Sequence, residues 1–393
     1  MRSPRKILFE SSPDDCKHTM ATKLLPVLAV LGLAAAAPAA DEEDAFTDLF
    51  NGKDLAGWVN VNCAPETWTV KDGVIVCTGV PTGLLRTEKQ YENYILELEW
   101  RHLKKGGNAG LFVNSDALTA RGQPFSRSIE CQIMDGNHGD VFAIHGATFI
   151  PDRPHPQGWM RCLPSEDRVH PAGGEWNRYV VRCAEGRVQL SVNGKIVSGG
   201  TECKPRKGYI VLESEGSEAH FRRIRIHELA PSDPPPKEAA EKDEGFRPLY
   251  SGLDLRGWKA AGEGSGGWKA KDWILENDGT GPPAPLRLEK SFESFELIID
   301  WRRRGEEGAP AMPVLLGGRR FAPDAARPED GGAGWRRARV TVEKGRARLT
   351  SLDGKPASAE IPLEPGPVAI SLDAPRGGIQ VANIFVKELA GGR

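Results

Sequence analysis

The sequence predicts an all-β protein built as two sandwich domains in tandem. Three observations predict it. Glycine at 45 and proline at 30 residues favour many turns between short strands over long helices. The segment Phe46-Thr-Asp-Leu-Phe-Asn-Gly-Lys-Asp-Leu-Ala-Gly-Trp58 returns as Phe246-Arg-Pro-Leu-Tyr-Ser-Gly-Leu-Asp-Leu-Arg-Gly-Trp258, an offset of 200. After each copy comes a run that alternates apolar and polar residues, the signature of a half-buried strand.

Taken in order, residues 1–40 stand apart from the fold. From Met20 the chain runs through Lys23 and an apolar stretch, Leu24 to Leu33, to small residues ending at Ala39-Ala40. That is the layout of a secretory signal peptide, and the stretch is short for a membrane span. The expectation is an exported protein, periplasmic or extracellular, with no transmembrane segment once the leader is removed.

The first domain is expected over 44–229. Tyr94, Leu96, Leu98 and Trp100 alternate with Ile95, Glu97, Glu99 and Arg101. Residues 178–183 and 187–192 read as a hairpin around Ala184-Glu185-Gly186, and Asn193-Gly194 marks the next tight turn. A linker follows over 230–245, with Pro234-Pro235-Pro236 and alternating charges. The second domain, 246–390, repeats the alternation with Phe295, Leu297, Ile299 and Trp301 against Glu296, Ile298, Asp300 and Arg302. It carries Lys344-Gly345 and Asp353-Gly354 at the turns. Its arginine runs, Arg302 to Arg304 and Arg336-Arg337, read as solvated strand edges.

Charge excludes one class of partner. Fifty-two basic against 54 acidic residues leave a net charge of −2, which argues against a nucleic-acid role. Six cysteines follow the leader: Cys63, Cys77, Cys131, Cys162, Cys183 and Cys203. In an oxidising compartment an even count suggests disulfides, with Cys63–Cys77 the first pair expected; buried free thiols are the alternative.

The domains differ in chemistry. Trp100 to Trp176 spans 76 positions and Trp301 to Trp335 only 34, so the first domain carries 42 extra residues. All 8 His and 7 Cys lie before residue 230, which assigns any catalysis to the first domain. The extra segment contains Gly107-Asn108-Ala109-Gly110-Leu111-Phe112-Val113, Ser128-Ile-Glu130-Cys-Gln132-Ile-Met-Asp135 and His138-Gly-Asp140-Val-Phe-Ala-Ile-His145. On a strand, Ser128, Glu130 and Gln132 share the polar face, and Ile129, Cys131 and Ile133 face the core. Asp135 joins the polar face only through a bulge at Met134-Asp135-Gly136.

The opening FTDLFNGKDLAGW, GNAGLFV, IECQIMD, HGDVFAIHGA and the closing FRRIRIHEL resemble the 3-keto-disaccharide hydrolase domain family over roughly residues 46–229. The run HGATFIPDRPHPQGWMRCLPSE is closest in style to its planctomycete branch, and the second domain looks like a degenerate copy. The resemblance implies a concanavalin-like jelly roll in each domain and an exported enzyme that cleaves 3-keto-glycosides. An oxidised glycoside or other carbohydrate is then the partner.

A ketone at C3 acidifies the C2 hydrogen, so a base can start elimination of the aglycone, and water then adds back. Glu130 is the candidate base. His145 and Asp135 are candidates for acid–base work, and Gln132 and Asn108 for holding hydroxyls or the ketone oxygen. Trp159, beside the Pro151–Pro156 loop, is a candidate sugar platform. The cofactor is open, with a divalent metal held by Glu130, Asp135, His138 and His145 as one option. His138 and His155 alone read as surface or hydrogen-bonding residues. A non-catalytic carbohydrate-binding or cell-surface protein with two lectin-like sandwiches is the competing reading.

Overall fold

The computed structural model describes residues 45–156, 158, 160–260, 265–280, 284–304, 312–320, 334–350 and 359–389. The leader, Cys16, Trp159 and the Asp353-Gly354 turn therefore lie outside the described residues. No helix among the described residues is long and apolar enough to cross a membrane.

Two sheets form the first sandwich. The larger runs in the order Thr148–Pro151, Lys195–Lys204, Arg187–Val192, Asn177–Ala184, Tyr94–His102, Ala219–Glu228, Val74–Cys77 and Trp68–Lys71, with Thr47–Asp48 beside Ala219–Glu228. The smaller runs Arg161–Cys162, Val141–Ile144, Ser128–Gln132, Gly110–Ser115, Tyr209–Ser214, Gly83–Thr87 and Trp58–Asn60. The apolar half of each alternating strand packs between them. Tyr94, Leu96, Leu98 and Trp100 meet Leu111, Val113, Ile129, Cys131 and Ile133 in one buried cluster. This interdigitation is why a period of two fixes the register: a slip by one residue would turn Glu97 and Glu130 into the core.

Among the described residues the second sandwich repeats the plan with an eight-stranded and a five-stranded sheet. Phe295, Leu297, Ile299 and Trp301 fill its core. Trp258 donates its indole N–H to the carbonyl of Leu249 at 2.7 Å, as Trp58 does to Leu49 at 2.7 Å. Among the described residues its smaller sheet ends at Val314–Leu316 and the short Arg319–Arg320. In the first sandwich the extra segment continues that sheet with Ser128–Gln132, Val141–Ile144 and Arg161–Cys162.

The two sandwiches are packed together. Phe246, Ile298 and Phe385 join Val61, Leu84, Phe112, Tyr209 and Val211 in a third apolar cluster. Residues 230–245 lie along the first sandwich: Ala240 donates its amide to Lys207 at 2.7 Å, and Asp243 pairs with buried Arg86 at 2.6 Å.

Two expectations are corrected. All six cysteines are free and buried, Cys63 and Cys77 included, because each fills an apolar site in or beside the core. Arg337 is not a solvated edge. Its guanidinium is buried against Asp300 at 2.7 Å, since this strand face is covered by the first sandwich. Arg302 likewise lies over the Trp335 ring at 4.7 Å.

Candidate functional site

Glu130 is placed by its strand. Its Cα is opposite Phe112 on one side and Phe142 on the other, and its side chain points away from the core. Gly110, two residues before Phe112, is opposite Gln132, and the next strand brings Glu213 alongside. Without a side chain, Gly110 leaves a hollow between the acids. A Cβ added there would stand 2.5 Å from Glu213 Oε2, 2.8 Å from the Phe112 ring and 3.1 Å from Glu130 Oε1. Two carboxyl groups therefore converge on one point above the sheet.

A third joins them. Glu215, two residues along the same strand line, accepts a hydrogen bond from the Asn108 side-chain amide. Asn108 is itself fixed by its backbone amide, which donates to Ser217 Oγ at 2.7 Å. Glu213 Oε2 and Asn108 Oδ1 are buried with no hydrogen-bond partner among the described residues. An oxygen in that state is costly unless protonated or met by a ligand.

Burial dominates the electrostatics. Glu130 is 7% exposed and Glu213 1%. Burial first, then the Glu215 and Asp140 charges, push the Glu130 pKa from the ordinary 4.5 up to about 8. Glu213 is held well above the carboxylate range by burial and then by Glu130 and Glu215. Glu215 is raised too, by burial first. The arrangement sets a carboxyl with a pKa raised to about 8 beside a second whose pKa burial also raises, the pattern of an acid–base site.

Residues 45–227 match the family model described as the 3-keto-alpha-glucoside-1,2-lyase-like domain. That match spans the first sandwich. No curated protein matches the chain. Among solved structures, a glycosyl hydrolase-like protein from Parabacteroides distasonis is 24% identical, with a TM-score of 0.38 over 49% of this chain and 99% of its own. A second such protein from that organism is 26% identical, with a TM-score of 0.35 over 47% and 99%. The β-glucanase of Bacillus licheniformis is 12% identical, with a TM-score of 0.33 over 47% and 97%.

Within the lyase-like domain the expected site residues fall in different places. Glu130, Gln132 and Asn108 lie around the Gly110 hollow. Gln132 turns its side-chain carbonyl back to accept from the Ile133 amide at 2.9 Å. Asp135 is not brought to the polar face. The strand ends at Gln132, and Asp135 accepts from the Gly106 amide at 2.8 Å in the following loop. His145 is exposed in a left-handed turn, 6.3 Å from the Phe125 ring. Because Ile144 is opposite Ser128, His145 lies past the far end of the Glu130 strand from Gln132.

His138 stacks on Trp100 at 5.3 Å, and burial lowers its pKa. The set Glu130, Asp135, His138 and His145 is thus split between three locations. Among the described residues no three His, Cys, Asp or Glu side chains are arranged to hold a metal ion. Glu213 and Glu215 were missed by the sequence reading. Their signal was the alternation Leu212-Glu213-Ser214-Glu215, which puts both acids on the face that Glu130 shares.

Proposed function

We propose that the lyase-like domain cleaves glycosides oxidised to a ketone at C3, with Glu130 as general base. The observation that carries this reading is the Glu130 carboxyl itself. It is buried, its pKa is raised to about 8, and it shares the Gly110 hollow with Glu213, a second buried carboxyl. A carboxylate of ordinary pKa is a weak base for a carbon acid. Raising it towards the working pH strengthens the base while leaving a usable ionised fraction.

The electron balance follows from the ketone. Glu130 takes the C2 proton, and the C–H pair forms the C1–C2 double bond as the C1–O bond breaks. The aglycone oxygen departs and takes up a proton. Water then adds across the enone at C1 and C2, so the net change is hydrolysis. Asn108 and Gln132 supply amide groups at the hollow's rim for the sugar's oxygens. No carboxylate nucleophile is needed. The leader read at residues 20–40 supports a setting outside the cytoplasm, which cell fractionation tests.

The deciding experiment incubates the purified chain with a 3-keto-disaccharide and with its unoxidised parent. Cleavage of the ketone alone supports the reading. Binding without cleavage favours the lectin-like alternative and removes Glu130 as base. Glu130→Gln should lower turnover by roughly 10²–10⁴-fold. Glu293→Gln, on the exposed surface of the second sandwich, should change nothing. Substrate deuterated at C2 should react more slowly with the native chain.

A further inference from the structure

One ladder position tells the two sandwiches apart. In the larger sheet of the first, Glu97 is opposite Arg225, and the two form an ion pair at 2.8 Å. With Asp48, Glu99, Arg178 and Arg223 they line an open cleft of about 440 Å³. In the larger sheet of the second sandwich the same position holds Ile298 opposite Phe385. The bulge beside it is kept, with Arg223 at φ 51° in one and Asn383 at φ 50° in the other. A charged pair at this position in one sandwich is thus an apolar pair in the other, and there it is covered.

What it covers is the outer face of the smaller sheet of the first sandwich. Ile298, Phe385 and Phe246 pack with Val61, Leu84, Phe112, Tyr209 and Val211, on the same face as Glu130 and Glu213. Polar contacts then hold the 116–127 loop at the border of this contact. Asp300 accepts from the Gly122 amide at 2.7 Å, Asn383 donates to the carbonyls of Ala120 and Gln123 at 3.0 Å each, and Arg337 donates to that of Thr119 at 2.9 Å.

We infer that the second sandwich is an internal cap that closes the Tyr209–Ser214 and Gly83–Thr87 half of this face to glycan. An uncapped sandwich offers a trough across all its strands, along which a polysaccharide can lie. Here that trough is filled with packed side chains from its middle outwards. A glycan reaches Glu130 only from the Gln132 and Asn108 edge, so the reacting sugar is a chain end and not an internal unit. This rests on the reading of the Glu130 face as the glycan side; the docking itself does not.

The test uses the full chain carrying Ile298→Glu with Phe385→Arg. The pair Glu97–Arg225 shows that this ladder position folds with those residues when it faces water. Amide exchange of 116–127 should rise by roughly tenfold or more while both cores, the Tyr209–Ser214 strand included, stay protected. The native chain should cleave a disaccharide with a terminal 3-keto sugar and spare a tetrasaccharide oxidised at an internal unit. The double variant should gain cleavage of the second.

Unchanged exchange in the double variant overturns the cap. So does equal cleavage of both substrates by the native chain, or an unchanged preference after undocking. Should the double variant fail to fold, Asn383→Gly keeps the left-handed backbone and removes the clamps on Ala120 and Gln123 together with the bond to Asp300. It should raise exchange in 116–127 and shift the preference the same way, and no change in either overturns the proposal. If the native chain cleaves neither substrate, the proposed reaction falls, and exchange alone decides the cap.

Discussion

Asp300 in the second sandwich accepts a 2.7 Å hydrogen bond from the amide of Gly122 in the first. The same carboxylate, fully buried, also holds Arg337 at 2.7 and 2.8 Å and Asn383 at 2.7 Å. Four donors on one buried acid make it the polar centre of the interface. Asp300→Ala leaves the Arg337 guanidinium buried and uncompensated, which typically costs about 3–5 kcal/mol. Chemical denaturation should show that loss. Asp300→Asn, which keeps an acceptor for Gly122 but loses the charge, should fall between it and the native chain.

The Gly110 hollow makes a second prediction. Gly110→Ala drives a methyl group to 2.5 Å from Glu213 Oε2 and 2.8 Å from the Phe112 ring, and neither neighbour is a loose surface chain. Overpacking of this kind costs about 1–3 kcal/mol. Because the methyl also stands between Glu213 and Glu130, turnover on a 3-keto-disaccharide should fall further than thermal stability accounts for. Equal activity per folded molecule would remove Gly110 from the site.

The cysteines make a third. Burial raises the thiol pKa values of Cys63, Cys77, Cys183 and Cys203, so little thiolate is present at neutral pH. A thiol reagent at pH 8 should label the folded chain slowly and label all six core cysteines once it is unfolded. Reductant should leave the melting temperature unchanged. A drop on reduction would restore the Cys63–Cys77 pairing.

How far the sequence carried the reading follows from range. The sandwich cores were legible, because a period of two is a local property and Leu96 or Leu297 needs only its own strand to declare its face. Glu130 was legible for the same reason. Glu213 and Glu215 were not, because Glu-Ser-Glu in isolation reads as a solvated edge and only the neighbouring strands bury it. Arg337 was misread likewise: a partner sandwich covers it, and no local pattern reports a partner. One signal was available. Ile298 breaks the polar side of its own strand, between Glu296 and Asp300, where Glu97 keeps the pattern in the first sandwich. The 230–245 segment reads as a tether by composition, while its hydrogen bonds to Lys207 and Arg86 depend on a surface that composition does not describe.

The raised pKa of Glu130 reaches stability as well as rate, and the signs differ. Below about pH 4.5 both folded and unfolded chains hold this proton. Between there and about pH 8 the unfolded chain has lost it and the folded chain keeps it. Stability therefore falls with rising pH across that window, by up to about 1.4 kcal/mol per pH unit, and levels off above it. Glu130→Gln cannot ionise and should flatten that slope, gaining on the native chain as pH rises. Activity runs the other way. The base is the ionised form, so kcat/KM for a 3-keto-disaccharide should climb through neutral pH and reach a plateau above about 8. Denaturation midpoints and initial rates measured across pH 5–9 read both curves on the same samples. Glu130 is the group responsible only if one substitution reduces the stability slope and removes the rate together. Burial also raises the pKa values of Glu213, Glu215 and Asp140, so part of the slope survives in Glu130→Gln, and an undiminished slope would assign the titration to those neighbours.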